Sequence, residues 1–138
     1  QFLKVKIGGD VIFDINDAVS LTGNTGSYLQ YAHARARRVL EKSAQTPVFP
    51  QAIYDEDRAL IRKLSEYREI VEQAAQGLEP HHICTYLFEL AQEFNRYYEH
   101  HQVIGSDKEA HRIAIVALYA DILKAGLAIL GISAPDEM

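Results

Sequence analysis

Residues 112–131 read R-I-A-I-V-A-L-Y-A-D-I-L-K-A-G-L-A-I-L-G. Within this stretch Ile113, Val116, Ala120, Leu123, Leu127 and Leu130 step by three or four, the spacing that places side chains on one face of a 3.6-residue helix. Gly131 follows the last of them and can take the left-handed conformation that ends a helix. Ser106 and Glu109 predict a capping box at its start, each side chain reaching the backbone N–H at the other's position. A helix with one apolar stripe buries it only against another such element, so partners are expected upstream.

They are present. Pro80 suits the first turn of a helix whose stripe is Ile83, Leu87, Leu90, Phe94 and Tyr97, fraying around His100-His101. Before it, a helix from about Asp55 to Gln76 carries Leu60, Leu64, Tyr67, Val71 and Ala74 inward, with Gly77 as its stop. Further upstream, Leu29, Ala32, Ala36 and Val39 mark a long helix that ends before Thr46-Pro47-Val48-Phe49-Pro50, where two prolines deny continuation. Asp14 or Asn16 caps a short helix ending near Thr22-Gly23, and Gly23-Asn24-Thr25-Gly26 is turn chemistry. Residues 1–13 read as strand or linker: Phe2 to Ile7 alternates loosely, Gly8-Gly9 breaks the pattern, and Val11-Ile12-Phe13 is a short apolar run. The predicted fold is all-α, a bundle of about four long helices plus a short N-terminal helix, with Leu64, Leu87, Leu90, Phe94, Leu123 and Leu127 buried.

Composition narrows what such a bundle does. The 138 residues suffice for one domain, and 48% apolar with 24% charged residues is the usage of a chain that folds. No stretch approaches the roughly 20 apolar residues of a membrane helix, and no basic start leads into an apolar signal segment, so a cytoplasmic setting without a membrane partner is expected. Cys84 is the single cysteine, which excludes an intramolecular disulfide framework and leaves too few ligands for a thiolate zinc cluster. The net charge of -5 argues against a sequence-blind binder of DNA or RNA, so any RNA contact must be local. Gln1 leads straight into Phe2-Leu3-Lys4-Val5-Lys6-Ile7, as expected of a piece of a longer chain.

Catalytic chemistry is not predicted. There is no G-x-x-x-x-G-K-[ST] loop, and Gly8-Gly9 alone is too little for a phosphate cradle. His81-His82 and His100-His101 are adjacent pairs, whereas ligands on a helix need to stand three or four apart to face one ion, so no metal site is expected. His81 and Cys84 do stand three apart at a helix start, where the dipole favours a thiolate. A half-exposed histidine beside a small buried thiol accounts for the same residues. Glu66, Glu69 and Glu72, among Arg62, Lys63 and Arg68, suit a solvated face.

Residues 23–35 read G-N-T-G-S-Y-L-Q-Y-A-H-A-R. On a helix Tyr28, Tyr31 and Arg35 share one stripe, about a quarter-turn from the core stripe of Leu29, Ala32, Ala36 and Val39. Two aromatic rings and a guanidinium on a partly exposed stripe are groups that stack on unpaired RNA bases. The same geometry also allows the tyrosines to edge the core while Arg35 pairs with a neighbouring acid.

This segment closely resembles the G-N-T-G-P-Y-L-Q-Y-A-H-A-R signature of arginyl-tRNA synthetases, with Ser27 where the family has proline. The exchange removes a helix-starting residue and supplies a hydroxyl. The resemblance continues through F-N-R-Y-Y at 94–98, R-I-A-I-V-A-L at 112–118 and G-L-A-I-L-G-I-S-A-P-D-E-M at 126–138, while residues 46–79 follow by pattern. It implies that residues 14–138 are a helical DALR anticodon-binding domain of the kind found in class I aminoacyl-tRNA synthetases. Residues 1–13 are then a lead-in from a missing N-terminal catalytic domain. It further implies that the domain grips the anticodon stem and loop of arginine tRNA. Tyr28, Tyr31 and Arg35 match positions expected to contact or stack on loop nucleotides, and Met138 matches a terminal methionine that packs there. Asn24, Thr25 and Gly26 are expected to hold the turn that presents the helix. The parent would be an arginine-tRNA ligase using ATP, with magnesium, in its catalytic domain. That domain's H-I-G-H and K-M-S-K-S motifs do not occur here, so this piece alone is expected to be inactive. The alternative is a protein-interaction bundle that kept such a fold and lost RNA binding, consistent with the acidic charge.

Overall fold

Thr25 opens the first long helix because its hydroxyl accepts the Tyr28 N–H at 3.0 Å, satisfying one of the donors a helix start leaves unpaired. In the computed structural model, which describes residues 2–48 and 53–138, the helices are α1 (Ile15–Ala18), α2 (Gly26–Lys42), α3 (Arg58–Ser65), α4 (Tyr67–Gly77), α5 (His81–His100) and α6 (Glu109–Ile129). Short 3-10 turns lie at Phe2–Lys4 and Asp55–Asp57, and there is no strand among the described residues. Gln1, and the Phe49-Pro50 part of the predicted proline stop, lie outside the described residues.

Most of the stripe residues read from the sequence form the core, while Tyr67 and Val71 are only partly buried. Leu29, Ala32, Ala36 and Val39 of α2 are buried with Leu60 and Leu64 of α3, Ile83, Leu87, Leu90, Phe94 and Tyr97 of α5, and Ile113, Val116, Ala120, Leu123 and Leu127 of α6. Burying such a leucine or phenylalanine contributes about 1.5–3 kcal/mol. The last helix lies chiefly along α2, while α5 receives α3, α4 and the Phe2–Lys4 turn. Gly126 sets how close α5 and α6 come, because a Cβ there would stand 2.6 Å from Leu87 Cδ2. No helix among the described residues is long and apolar enough to cross a membrane.

Four local expectations are corrected, and the open choice between strand and linker is decided against strand. Residues 2–13 hold a 3-10 turn and no strand; Phe2 stacks on Phe13 at 5.8 Å instead. The short helix begins where expected, with the Asp14 carboxylate accepting the Asn16 N–H at 2.7 Å, but ends at Ala18. The helix predicted from Asp55 to Gln76 is split in two around Glu66, after the 3-10 turn at Asp55–Asp57. Side-chain hydroxyls take the carbonyls that an unbroken helix would use: Ser65 donates to Arg62 O at 2.7 Å and Tyr86 to Lys63 O at 2.9 Å. At the end of α4 the left-handed residue is Leu78, with φ +55°, not Gly77, and Glu79 N–H closes the turn on Ala74 O at 2.9 Å. The capping box before α6 does not form as drawn. Glu109 accepts the Gly105 N–H at 2.6 Å and the Ser43 hydroxyl at 2.6 Å, which ties the end of α2 to the start of α6. Gly131 does adopt φ +72°, with Ile132 N–H bonded to Leu127 O at 2.9 Å, although Leu130 before it is only partly buried.

Candidate nucleic-acid interface

The stripe of α2 that carries Arg35 also carries Arg38 and Lys42, three and seven residues on, a basic strip in an acidic chain, while Arg37 lies on another side of the helix. Tyr28 stands at its start, in the first turn. Its ring meets Phe88 of α5 edge-on at 5.6 Å, and its hydroxyl accepts from Asn95 Nδ2 at 2.9 Å. Burial raises the Tyr28 pKa above the ordinary phenol value, against smaller opposing effects of the Asn95 bond and the Arg35 charge. Two turns on, Arg35 Nη1 donates to Asn95 Oδ1 at 3.3 Å, and the guanidinium lies 5.0 Å above the Tyr98 ring. Between them Tyr31 is 43% exposed.

The chain after α6 runs beside α2 in the same direction. Gln30 donates to Ser133 O at 2.8 Å and the buried His33 donates from Nδ1 to Pro135 O at 2.8 Å. Arg37 pairs with Asp136 at 3.1 Å, and Arg38 Nη2 donates to Met138 O at 2.8 Å. Arg38 is three residues after Arg35 and seven after Tyr31, on the same stripe, so this strap carries the half-exposed Met138 to the edge of the strip.

Of the four residues singled out from the sequence, Tyr28 and Arg35 are brought together through one asparagine. Tyr31 shares their helix face, and Met138 is tied to α2 by its own backbone. The alternative reading of Arg35 is corrected: its partners are Asn95 and Tyr98, not a neighbouring acid. Tyr28 edges the core, whereas Tyr31 stands out from it. Sequence reasoning missed Asn95, Tyr98, His33 and Arg38 as parts of the site. Asn95 and Tyr98 stand three apart within F-N-R-Y-Y, a spacing that could have marked a second helix face.

Other candidate chemistry looks different in three dimensions. Cys84 is buried, which pushes its thiol pKa up and away from a nucleophilic thiolate. Gly8-Gly9 forms a turn closed by Gly9 N–H on Lys6 O at 2.9 Å, so these amides do not converge as a phosphate cradle. The adjacent histidines do approach a third ligand type, since polar atoms of Glu79, His81 and His82 lie within 4.8 Å of one another. The Glu79 carboxylate, however, already accepts from His82 at 2.9 Å and pairs with Lys6 at 3.4 Å, tying the lead-in residues to the start of α5.

A family model described as the DALR anticodon binding domain matches residues 29–138. The arginine–tRNA ligase of Frankia casuarinae is 40% identical over 134 residues, covering 94% of this chain and 23% of that protein. That of Cutibacterium acnes is 41% identical over 147 residues, covering 94% and 26%. Among solved structures, the arginyl-tRNA synthetase of Thermus thermophilus superposes with a TM-score of 0.89 at 33% identity, covering 98% of this chain and 25% of that one. The chain thus spans about a quarter of the length of the relatives it matches.

Proposed function

Because the chain belongs to the DALR anticodon binding domain family, we propose that it recognises the anticodon stem and loop of an arginine tRNA for a cytoplasmic arginine–tRNA ligase. Residues 14–138 form the recognition domain in this reading, and residues 1–13 lead in from a catalytic domain that supplies ATP and magnesium chemistry. In this reading the share of residues 14–138 is binding. The observation that supports the reading best is the α2 strip, where an exposed Tyr31, an Arg35 resting on Tyr98 and an edge tyrosine, Tyr28, line one face.

Flat groups on one partly exposed face suit unpaired bases, with stacking worth about 1–3 kcal/mol per base. The neighbouring cations suit loop phosphates. Met138, held at the edge of the same strip, offers an apolar contact. Seating the loop would help to hold the distant acceptor end in the parent's catalytic site, so that binding energy gained here appears in turnover there.

The test is a titration of the 138-residue chain with the anticodon stem-loop of an arginine tRNA and with that of another tRNA. Selective binding that weakens with salt is expected. Equal binding to both, or none, would refute the reading.

A further inference from the structure

Arg35 has only donors, so whatever faces its Nη1 must accept. The facing group is Asn95 Oδ1, at 3.3 Å, which leaves Asn95 Nδ2 to face the Tyr28 hydroxyl at 2.9 Å. Turning the amide over would set Nδ2 against a guanidinium N–H, donor against donor. The amide orientation is therefore dictated by Arg35. The Tyr28 oxygen then accepts, and its own proton has no partner among the described residues.

We propose that Asn95 is a positioning residue that sets the polarity of the site: it makes the Tyr28 hydroxyl a hydrogen-bond donor toward an acceptor atom of an unpaired loop nucleotide. This rests on the anticodon-binding function proposed above and deepens it. The Arg35–Asn95–Tyr28 relay runs in one direction, from the guanidinium through the amide to the phenol. It also links the two helices, since Tyr28 and Arg35 belong to α2 and Asn95 to α5. Tyr98, three residues after Asn95, lies under the guanidinium with its ring centre 5.0 Å away, so both ends of the relay are held. The anion-stabilising effect of the Asn95 bond on Tyr28 has the sign expected of an amide donating to the phenol.

Asn95→Asp separates polarity from shape. A carboxylate still accepts from Arg35 but cannot donate, so the Tyr28 proton turns inward to it. The test measures stem-loop affinity of the 138-residue chain for wild type, Tyr28→Phe, Asn95→Asp and the double variant. Removing the hydroxyl is expected to weaken binding about five- to tenfold in the wild-type background, the value of one hydrogen bond, and to change nothing in the Asn95→Asp background. Comparing the hydroxyl's effect within each background cancels any general repulsion of RNA by the new charge. As a readout without RNA, the Tyr28 phenol followed by carbon NMR is expected to titrate at higher pH in Asn95→Leu, which keeps the side chain's size and adds no charge but cannot donate, where a purely space-filling Asn95 would leave it unmoved. Tyr28→Phe binding as tightly as wild type, or the same hydroxyl effect in both backgrounds, overturns this inference alone. A wild-type chain that fails to bind the stem-loop overturns the proposed function with it.

Discussion

Tyr28 and Tyr31 stand three residues apart in sequence but differ in what their removal does. Tyr31 is 43% exposed, so if it stacks on a loop base as proposed, Tyr31→Ala is expected to lower kcat/KM for arginine tRNA in the proposed parent ligase by about tenfold, a loss within the 1–3 kcal/mol of one stack. Thermal stability should hold. Tyr28 packs edge-on against Phe88 and is bonded to Asn95, so Tyr28→Ala should lower both activity and Tm. Circular dichroism melts beside the kinetics distinguish the two, and an unchanged kcat/KM for folded Tyr31→Ala would remove that residue from the site. The spacing of the two residues placed both on one stripe. Which of them the bundle grips depends on Phe88 and Asn95, contributed by a helix more than fifty residues away.

At the scale of elements, two contacts decide how the helices are held. Gly126→Ala puts a methyl group 2.6 Å from Leu87 Cδ2, so the buried Leu87 side chain or the two helices must shift, at a cost of about 1–3 kcal/mol for overpacking. A Tm equal to wild type would contradict that packing. The second contact is the turn at Asp55–Asp57, pinned to the start of α6. The buried Asp57 accepts from Tyr97 at 3.0 Å and His111 at 2.6 Å, while Glu56 takes Arg112 at 2.7 Å and Lys108 at 3.1 Å. Hydrogen bonds from Arg112, then Lys108, lower the Glu56 pKa from 4.5 to about 2. Its contribution to stability is therefore full above pH 4.5 and is lost as pH falls toward 2. Denaturant midpoints measured across that range should fall less steeply for Glu56→Gln than for wild type; parallel curves would show that Glu56 contributes nothing.

On the scale of the whole molecule, the buried thiol of Cys84, the nucleophile candidate of the sequence, is shifted away from reactivity. A clean preparation of this chain is accordingly expected to catalyse no arginine-dependent pyrophosphate exchange; measurable exchange would overturn the reading of it as a recognition domain. The helical bundle and its core were legible in the sequence because a 3.6-residue apolar period is a one-dimensional signal, and Leu87, Leu90, Phe94, Leu123 and Leu127 stand where that period places them. The family signature at 23–35 singled out Tyr28, Tyr31 and Arg35 as candidates without any coordinates. What the period could not carry was where side chains from separate helices meet. The helix break around Glu66 comes from the Tyr86 and Ser65 hydroxyls, and the Arg35–Asn95–Tyr28 relay from α5 lying beside α2. The strap of residues 132–138 is set by the carbonyl contacts of Gln30, His33 and Arg38. Each of these is a hydrogen bond with a definite direction between groups distant in sequence, and only the packed bundle brings the donor and acceptor within reach.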